Sequence, residues 1–291
     1  MKILILGSDG MIGHKLAHKF HDNSIDLYLN SRYKSEFIQR FFPKAKVSNY
    51  NFLNSNVLDL LNKIKPDFIL NCSGITIRRG VNEDLDNTFK INAELPNIIH
   101  NWSLNKNSKL IQFSTDCVFS GKKGNYLDND IPDAIDLYGK SKAKGEIIST
   151  KTLTIRSSMI GREIFNKSEL LEWFIGKKNN LVKGFSNIIY SGITTVQMSN
   201  FIFDIIKENI ELDGIYNVSS NAISKFELLK KINRKFDLNI TVVKDSSYRS
   251  DKTLNSSNFY SKTGFNKPVW EKMLDELFLD SIKFNDLYKN N

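Results

Sequence analysis

A doubly wound α/β fold, with a parallel sheet and a smaller α/β lobe attached, is the architecture this sequence predicts. Three observations carry it. A short apolar run, Lys2 to Leu6, leads straight into a glycine cluster. Brief apolar runs then alternate with segments of helical periodicity through the first half of the chain. The length, 291 residues, leaves room for a sheet domain plus an elaboration.

Taken in order, Lys2 to Leu6 has the pattern of a strand covered on both faces. From Met11 to Phe20, apolar Met11, Ile12, Leu16 and Phe20 recur at helical spacing. A second strand is expected over Ile25 to Leu29 and a helix over Asn56 to Ile64, whose Val57, Leu58, Leu60, Leu61 and Ile64 form one face. Pro66-Asp67 punctuates the chain before a strand at Phe68 to Leu70. Leu85 to Trp102 reads as mostly helical, and Lys109 to Phe113 as a strand running into Ser114-Thr115-Asp116. After a loop with Gly121, Gly124 and Pro132, a helix is expected from about Leu137 to Ser149 and a strand from Leu153 to Arg156. Strands separated by helices imply right-handed crossovers and parallel pairing. Beyond residue 157 the rhythm changes around Trp173, Phe174 and Phe185, then a helix (Thr194 to Ile206) and a strand (Gly214 to Val218) follow. The expected division is a dinucleotide-binding domain over 1–156 and a substrate lobe over 157–291. Residues at about 188–220 return to the first sheet.

Composition excludes several classes. With 41% hydrophobic and 25% charged residues the chain is neither fibrous nor disordered. Cys72 and Cys117 stand apart without metal-ligand spacing, which argues against a zinc site and for a reducing compartment. The apolar opening is too short for a signal segment and no run approaches a membrane span, so the expectation is a cytoplasmic protein without membrane attachment. The net charge of +9 invites a polyanionic partner. Its lysines are scattered rather than blocked, so a small anionic ligand suits it better than nucleic acid.

Gly7-Ser8-Asp9-Gly10-Met11-Ile12-Gly13 lies between the first strand and first helix. There glycine allows a tight turn and close approach of a pyrophosphate to backbone N–H groups at a helix start. NAD sites carry a carboxylate at the end of the second strand, for the ribose. Here Ser31 and Arg32 follow Asn30, and a guanidinium suits a 2′-phosphate, so NADP is expected ahead of NAD. Tyr138 and Lys142 stand four residues apart and share a helix face. An ammonium there would lower the phenol pKa and make it a usable proton donor. Thr115, at the C-terminal end of a buried strand, can donate to a carbonyl oxygen that gains charge.

Together these residues resemble the extended short-chain dehydrogenase/reductases, whose Rossmann-type sheet and glycine spacing they share. Within that family they resemble the dTDP-4-dehydrorhamnose reductase group. The resemblance is carried by the run from Ser114 to Gly121, Gly124-Asn125-Tyr126, Asp130-Ile131-Pro132, Leu137 to Lys142 and Gly145-Glu146. Pro66 to Gly74, Lys90 to Ala93, Ser191 to Thr195 and Thr253 to Ser256 extend it. It implies an NADPH-dependent reductase of a nucleotide-activated 4-keto-6-deoxysugar, serving deoxysugar and surface polysaccharide biosynthesis, and it leaves a homodimer open. Tyr138 would be the acid, Lys142 would hold the nicotinamide ribose, and Thr115 would orient the keto oxygen. Gly7, Gly10, Met11, Ile12 and Gly13 would wrap the pyrophosphate, and Ser31 and Arg32 the 2′-phosphate. Asn51 and Phe52 would take the adenine, and Cys72, Ser73 and Gly74 the nicotinamide side. Asn92 would support the catalytic helix on the cofactor side. Thr115, Asp116, Cys117 and Tyr138 would face the sugar.

The chain departs from that pattern at Cys117, where an aromatic residue is common, and at the basic pair Arg78-Arg79. No metal site is expected, Asp128 and Asp130 included. Two other readings stay open: an epimerase or epimerase-reductase using the same residues, and a non-catalytic, cofactor-binding regulatory subunit.

Overall fold

A computed structural model describes residues 1–21, 25–32, 34–76 and 84–289. The sheet half of the molecule runs β1 (Lys2–Leu6), α1 (Gly13–His21), β2 (Asp26–Asn30), α2 (Ser35–Phe41), β3 (Lys46–Ser48), α3 (Val57–Ile64) and β4 (Phe68–Asn71). It continues with α4 (Leu85–Phe89), a π-helical turn at Lys90–Glu94, α5 (Leu95–Leu104), β5 (Lys109–Ser114), α6 (Leu137–Lys144) and β6 (Thr152–Arg156). There follow β7 (Met159–Ile160), α7 (Leu170–Ile175), β8 (Leu181–Tyr190), β9 (Ile193–Thr194), α8 (Thr195–Lys207) and β10 (Gly214–Asn217). The chain closes with β11 (Ile223–Ser224), α9 (Lys225–Phe236), β12 (Thr241–Asp251), α10 (Ser257–Thr263), α11 (Trp270–Lys283) and α12 (Asn285–Lys289).

Seven strands form one sheet in the order β10-β6-β5-β4-β1-β2-β3, every neighbour parallel. Side-chain alternation explains its two coats. Ile3 and Ile5 of β1 join the core under α1, α8 and α11, whereas Leu4 and Leu6 join the core under α3 and α5. A strand buried on both faces needs apolar residues at every position, which is why Ile3 to Leu6 carries no polar one. The expectation of a doubly wound α/β sheet is met.

Local chemistry fixes the ends of several helices. Asn56 caps α3, its side chain accepting from the Leu58 N–H, and Thr194 and Ser224 do the same for α8 and α9. The lobe adds a three-stranded sheet in the order β11-β8-β12, with β8 and β12 parallel and a bulge between Asp245 and Arg249.

Three details differ from the sequence expectation. Helix α1 starts at Gly13, after the turn rather than within it. The short elements α2 and β3 lie in a stretch without clear periodicity, and β3 is a sheet edge of three residues. The helix expected to reach Ser149 stops at Lys144. A Cβ on Gly145 would stand 2.0 Å from the Asn92 carbonyl oxygen, so the chain turns away there and carries Glu146 inward to β5 and β6.

Because the chain winds outward from β1 to β3 and then returns to β4 on the other side, the winding reverses between β1 and β4. Open α/β sheets hold ligands at the C-terminal ends of strands at such a point. Gly7 and Cys72, the residues that follow β1 and β4, mark it.

Candidate active site

The turn after β1 is tight enough to need glycine at two places. Gly7 has φ +72°, and a Cβ there would press on the Cys72 carbonyl and the Ser73 nitrogen at 3.1 Å. A Cβ on Gly13 would stand 2.1 Å from the Gly7 carbonyl oxygen, so α1 begins directly behind the turn. The Gly10 N–H closes it onto the Gly7 carbonyl at 3.0 Å.

Two cavities meet over this turn. One, of about 260 Å³, is lined by Gly7, Gly10, Arg32, Asn51, Phe52, Cys72, Ser73 and Gly74 among others. The second, of about 130 Å³, adds Met11, Ile12, Ser114, Tyr138 and Lys142. They share Gly10, Cys72, Ser73 and Gly74, so one groove runs from Arg32 past the glycine turn to the Tyr138 side chain.

Six residues named from the sequence do not line it: Gly13, Ser31 and Asn92 at the cofactor end and Thr115, Asp116 and Cys117 at the sugar end. Gly13 lies behind the turn. Ser31 is fully buried and its hydroxyl donates to Asp9 at 3.1 Å. Asn92 sits in the π-helical turn, wholly buried, and clamps Ile75 by both backbone groups (Ile75 N–H to Asn92 Oδ1 and Asn92 Nδ2 to the Ile75 carbonyl, each 2.9 Å). Its Nδ2 also reaches the Ser141 hydroxyl at 3.0 Å, tying the loop after β4 to α6. Its role is to hold the floor of the groove.

Sequence reasoning missed Asp9, Lys34, Tyr50, Phe165, Asn166 and Glu169. Asp9 matters most, because it puts a carboxylate at the Ser31 end of the groove. The residues just after β2 supply no carboxylate, and this one arrives from the glycine turn instead. Glu169, which accepts from the Thr76 hydroxyl at 3.0 Å, comes from the lobe, where no motif flags it.

The Tyr138 end is built by close packing. Thr115 follows β5, and its Oγ1 donates to Asp116 Oδ1 and accepts from the Cys117 N–H, both at 3.1 Å. Asp136 caps α6 through the Gly139 N–H at 2.8 Å. A Cβ on Gly139 would stand 2.2 Å from the Cys117 carbonyl oxygen, so the first turn of α6 rests on this segment and brings Tyr138 beside Thr115. One turn on, Lys142 is buried and its Nζ donates to the Phe113 carbonyl at 2.6 Å.

The electrostatics differ from the sequence expectation. Burial lowers the Lys142 pKa to about 8, while Glu146 and Cys72 act in the other direction. Tyr138 is pushed up, first by burial and then by Cys117, Asp116 and Glu169, with a Thr115 hydrogen bond opposing. The Lys142 ammonium faces a backbone carbonyl, and burial, the largest influence on the phenol, favours its neutral, protonated form. Burial also pushes the Cys117 thiol up to about 12 and raises Cys72, which leaves both as neutral thiols.

Beneath Thr115 sits a buried ion pair. Arg156 of β6 grips Glu146 through Nε and an Nη, each at 2.8 Å, and Glu146 also accepts from the Ser114 hydroxyl at 2.7 Å. The guanidinium covers Phe119, which stacks on Tyr126 with centroids 4.0 Å apart. Asp128 bonds the Asn217 N–H and Asn258, and Asp130 pairs with Lys123. Arg78 and Arg79 lie outside the described residues.

Comparison with known proteins gives four findings. The sequence profile of the RmlD substrate binding domain family matches residues 1–281. The dTDP-4-dehydrorhamnose reductase of Aggregatibacter actinomycetemcomitans is 28% identical over 162 residues, 54% of this chain and 51% of that protein. Methionine adenosyltransferase 2 subunit beta of Bos taurus is 27% identical over 146 residues, 50% of this chain and 41% of that one, so the matched segments span about half the length of these relatives or less. The crystal structure of a hypothetical dTDP-4-dehydrorhamnose reductase from Sulfolobus tokodaii superposes with a TM-score of 0.79 at 26% identity, covering 94% of this chain and 98% of that one. Among the described residues no helix is long and apolar enough to cross a membrane.

Proposed function

Because this chain belongs to the RmlD substrate binding domain family, we propose that it is a cytoplasmic reductase that uses NADPH to reduce a nucleotide-activated 4-keto-6-deoxysugar, for deoxysugar and surface polysaccharide synthesis. Residues 1–156 would bind the cofactor and 157–291 the sugar nucleotide. The observation that carries the reading is the continuous groove from Arg32, past a glycine turn with no room for side chains, to Tyr138 and Lys142.

These residues fit a dinucleotide. The close-packed glycine turn leaves backbone N–H groups for a pyrophosphate, and Arg32 and Lys34 offer cations at the far end of the groove, where Asp9 opposes them. A reduced nicotinamide in the groove would supply a hydride to a carbonyl carbon. Tyr138, protonated at neutral pH, would give its O–H proton to the carbonyl oxygen. Thr115 would orient that oxygen, and Lys142, held by the Phe113 carbonyl beneath the groove, would supply positive charge beside the phenol as it loses its proton. Asn92 and the Glu146–Arg156 pair would keep the three in register.

The test follows NADPH absorbance with dTDP- and UDP-linked 4-keto sugars. Wild-type protein should consume NADPH, and Tyr138→Phe should bind it and lose at least about a hundredfold in turnover. Turnover surviving in Tyr138→Phe would remove Tyr138 as the proton donor. Product formed without loss of NADPH would assign an epimerase instead. The likeness to a methionine adenosyltransferase subunit supports a second reading, a cofactor-binding subunit without chemistry of its own. NADPH binding with no turnover on any keto sugar would favour it.

A further inference from the structure

Two walls of the groove, the glycine turn and the segment 162–169, are tied together from outside the site by a single residue of α12. The ring of His14 is wholly buried, with Nδ1 2.8 Å from the Gly10 carbonyl oxygen and Nε2 3.0 Å from the Tyr288 hydroxyl. A carbonyl can only accept, so Nδ1 carries the ring proton; Nε2 is then an acceptor, and the Tyr288 O–H donates to it. On the opposite wall, the Arg162 guanidinium lies over the Tyr288 ring, 4.5 Å from its centroid, and the Lys167 ammonium donates to the Tyr288 carbonyl at 3.0 Å. Between these two contacts the chain supplies Phe165 and Asn166 to the groove. Next to His14, buried Lys15 pairs with Asp280 of α11 at 2.6 Å, so the start of α1 is anchored to the last two helices at consecutive residues.

We propose that Tyr288, through His14, is a positioning residue: α12 acts as a clasp that holds the glycine turn and the 162–169 segment at the spacing the cofactor groove requires. The bonded chain is short, Gly10 carbonyl, His14, Tyr288, and has no exposed link. A neutral imidazole at that place donates to the turn through one ring nitrogen and accepts from the clasp through the other. The clasp itself is read from the contacts; that the held groove takes a dinucleotide rests on the function proposed above.

Amide hydrogen exchange on the full chain separates the two. Tyr288→Phe removes only the hydroxyl and leaves a ring for Arg162, so amides of residues 8–14 should exchange roughly three- to tenfold faster. Amides of β4 and β5 in the same sample should be unchanged, which a merely destabilised protein would not show. Tyr288→Ala should loosen residues 162–169 as well. NADPH affinity should fall by a similar factor in Tyr288→Phe, with the KM for the sugar nucleotide unmoved. Unchanged exchange at residues 8–14, or acceleration spread evenly over the molecule, overturns the clasp. Faster exchange in the turn together with wild-type protein that binds neither NADPH nor NADH sustains the clasp and overturns the cofactor reading.

Discussion

Replacing Glu146 with Ala should be among the most damaging single changes available in this fold. The carboxylate accepts two bonds from Arg156 and one from Ser114, and the two side chains of the ion pair are 5% and 2% exposed. Truncation leaves a buried guanidinium whose one remaining hydrogen bond among the described residues is to the Asp128 carbonyl, at 2.9 Å. Stranding one member of a buried pair costs about 3–5 kcal/mol. Against a total stability of roughly 5–15 kcal/mol, that is about a fifth or more of what holds the protein together. The assay is urea unfolding followed by circular dichroism and tryptophan fluorescence, where the loss should move the midpoint by about 1 M or more.

The double variant Glu146→Leu/Arg156→Met should recover most of the loss, since no charge is left unpaired. A single variant that loses less than about 1 kcal/mol would refute the claim that the pair is desolvated. Glu146 also holds the Lys142 pKa up against burial. Glu146→Gln should therefore shift the alkaline limb of the activity profile to lower pH, starting from about 8 in the wild type.

Asp9→Asn removes the anionic charge nearest Ser31 and should raise the NADPH-over-NADH affinity ratio several-fold in paired binding titrations; an unchanged ratio would take Asp9 out of cofactor selection. Acid should loosen the packing of α1 on α11 and α12. Burial lowers the pKa of both His14 and His18, with the Lys15 charge adding to the effect, while Asp280, Glu172, Arg162 and Lys283 are the other charged groups nearby. A base whose folded pKa is depressed takes up its proton in the unfolded chain first. Stability from these two residues is thus complete above the unfolded value near 6.5 and falls as pH drops below it, by up to about 2.7 kcal/mol per pH unit for the pair. His18, packed between Phe42 and Phe284, should tolerate Phe, and His18→Phe should roughly halve the slope of unfolding free energy between pH 6 and 5. An unaltered slope would show that His18 does not titrate with unfolding.

Much of the site can be read along the chain because the glycine turn, Thr115 and the Tyr138/Lys142 pair each sit at a strand end or on one helix turn, where local spacing fixes what can meet. Where the sequence reading failed, the partners are far apart. Asp9 meets Ser31 across 22 residues, and Glu169 reaches Thr76 across 93. Asn92, expected to support the catalytic helix on the cofactor side, does bond Ser141 of α6, but its other bonds go to Ile75 from a π-helical turn and it does not line the groove. The phenol pKa also went the other way: spacing places Lys142 on the same face as Tyr138, but only the folded chain sets what Nζ bonds and how much water is left.

What the sequence determined by itself, then, is whatever depends on backbone conformation and periodicity: the parallel sheet with its two apolar coats, the glycine turn after β1, and the ordering of Thr115, Tyr138 and Lys142. Tertiary structure alone decided the charges and the clasp. Desolvation and pairing depend on which distant groups are brought within a few ångströms, as with Arg156 and Glu146 or Tyr288 and His14, and neither burial nor approach across 274 residues has a local signature.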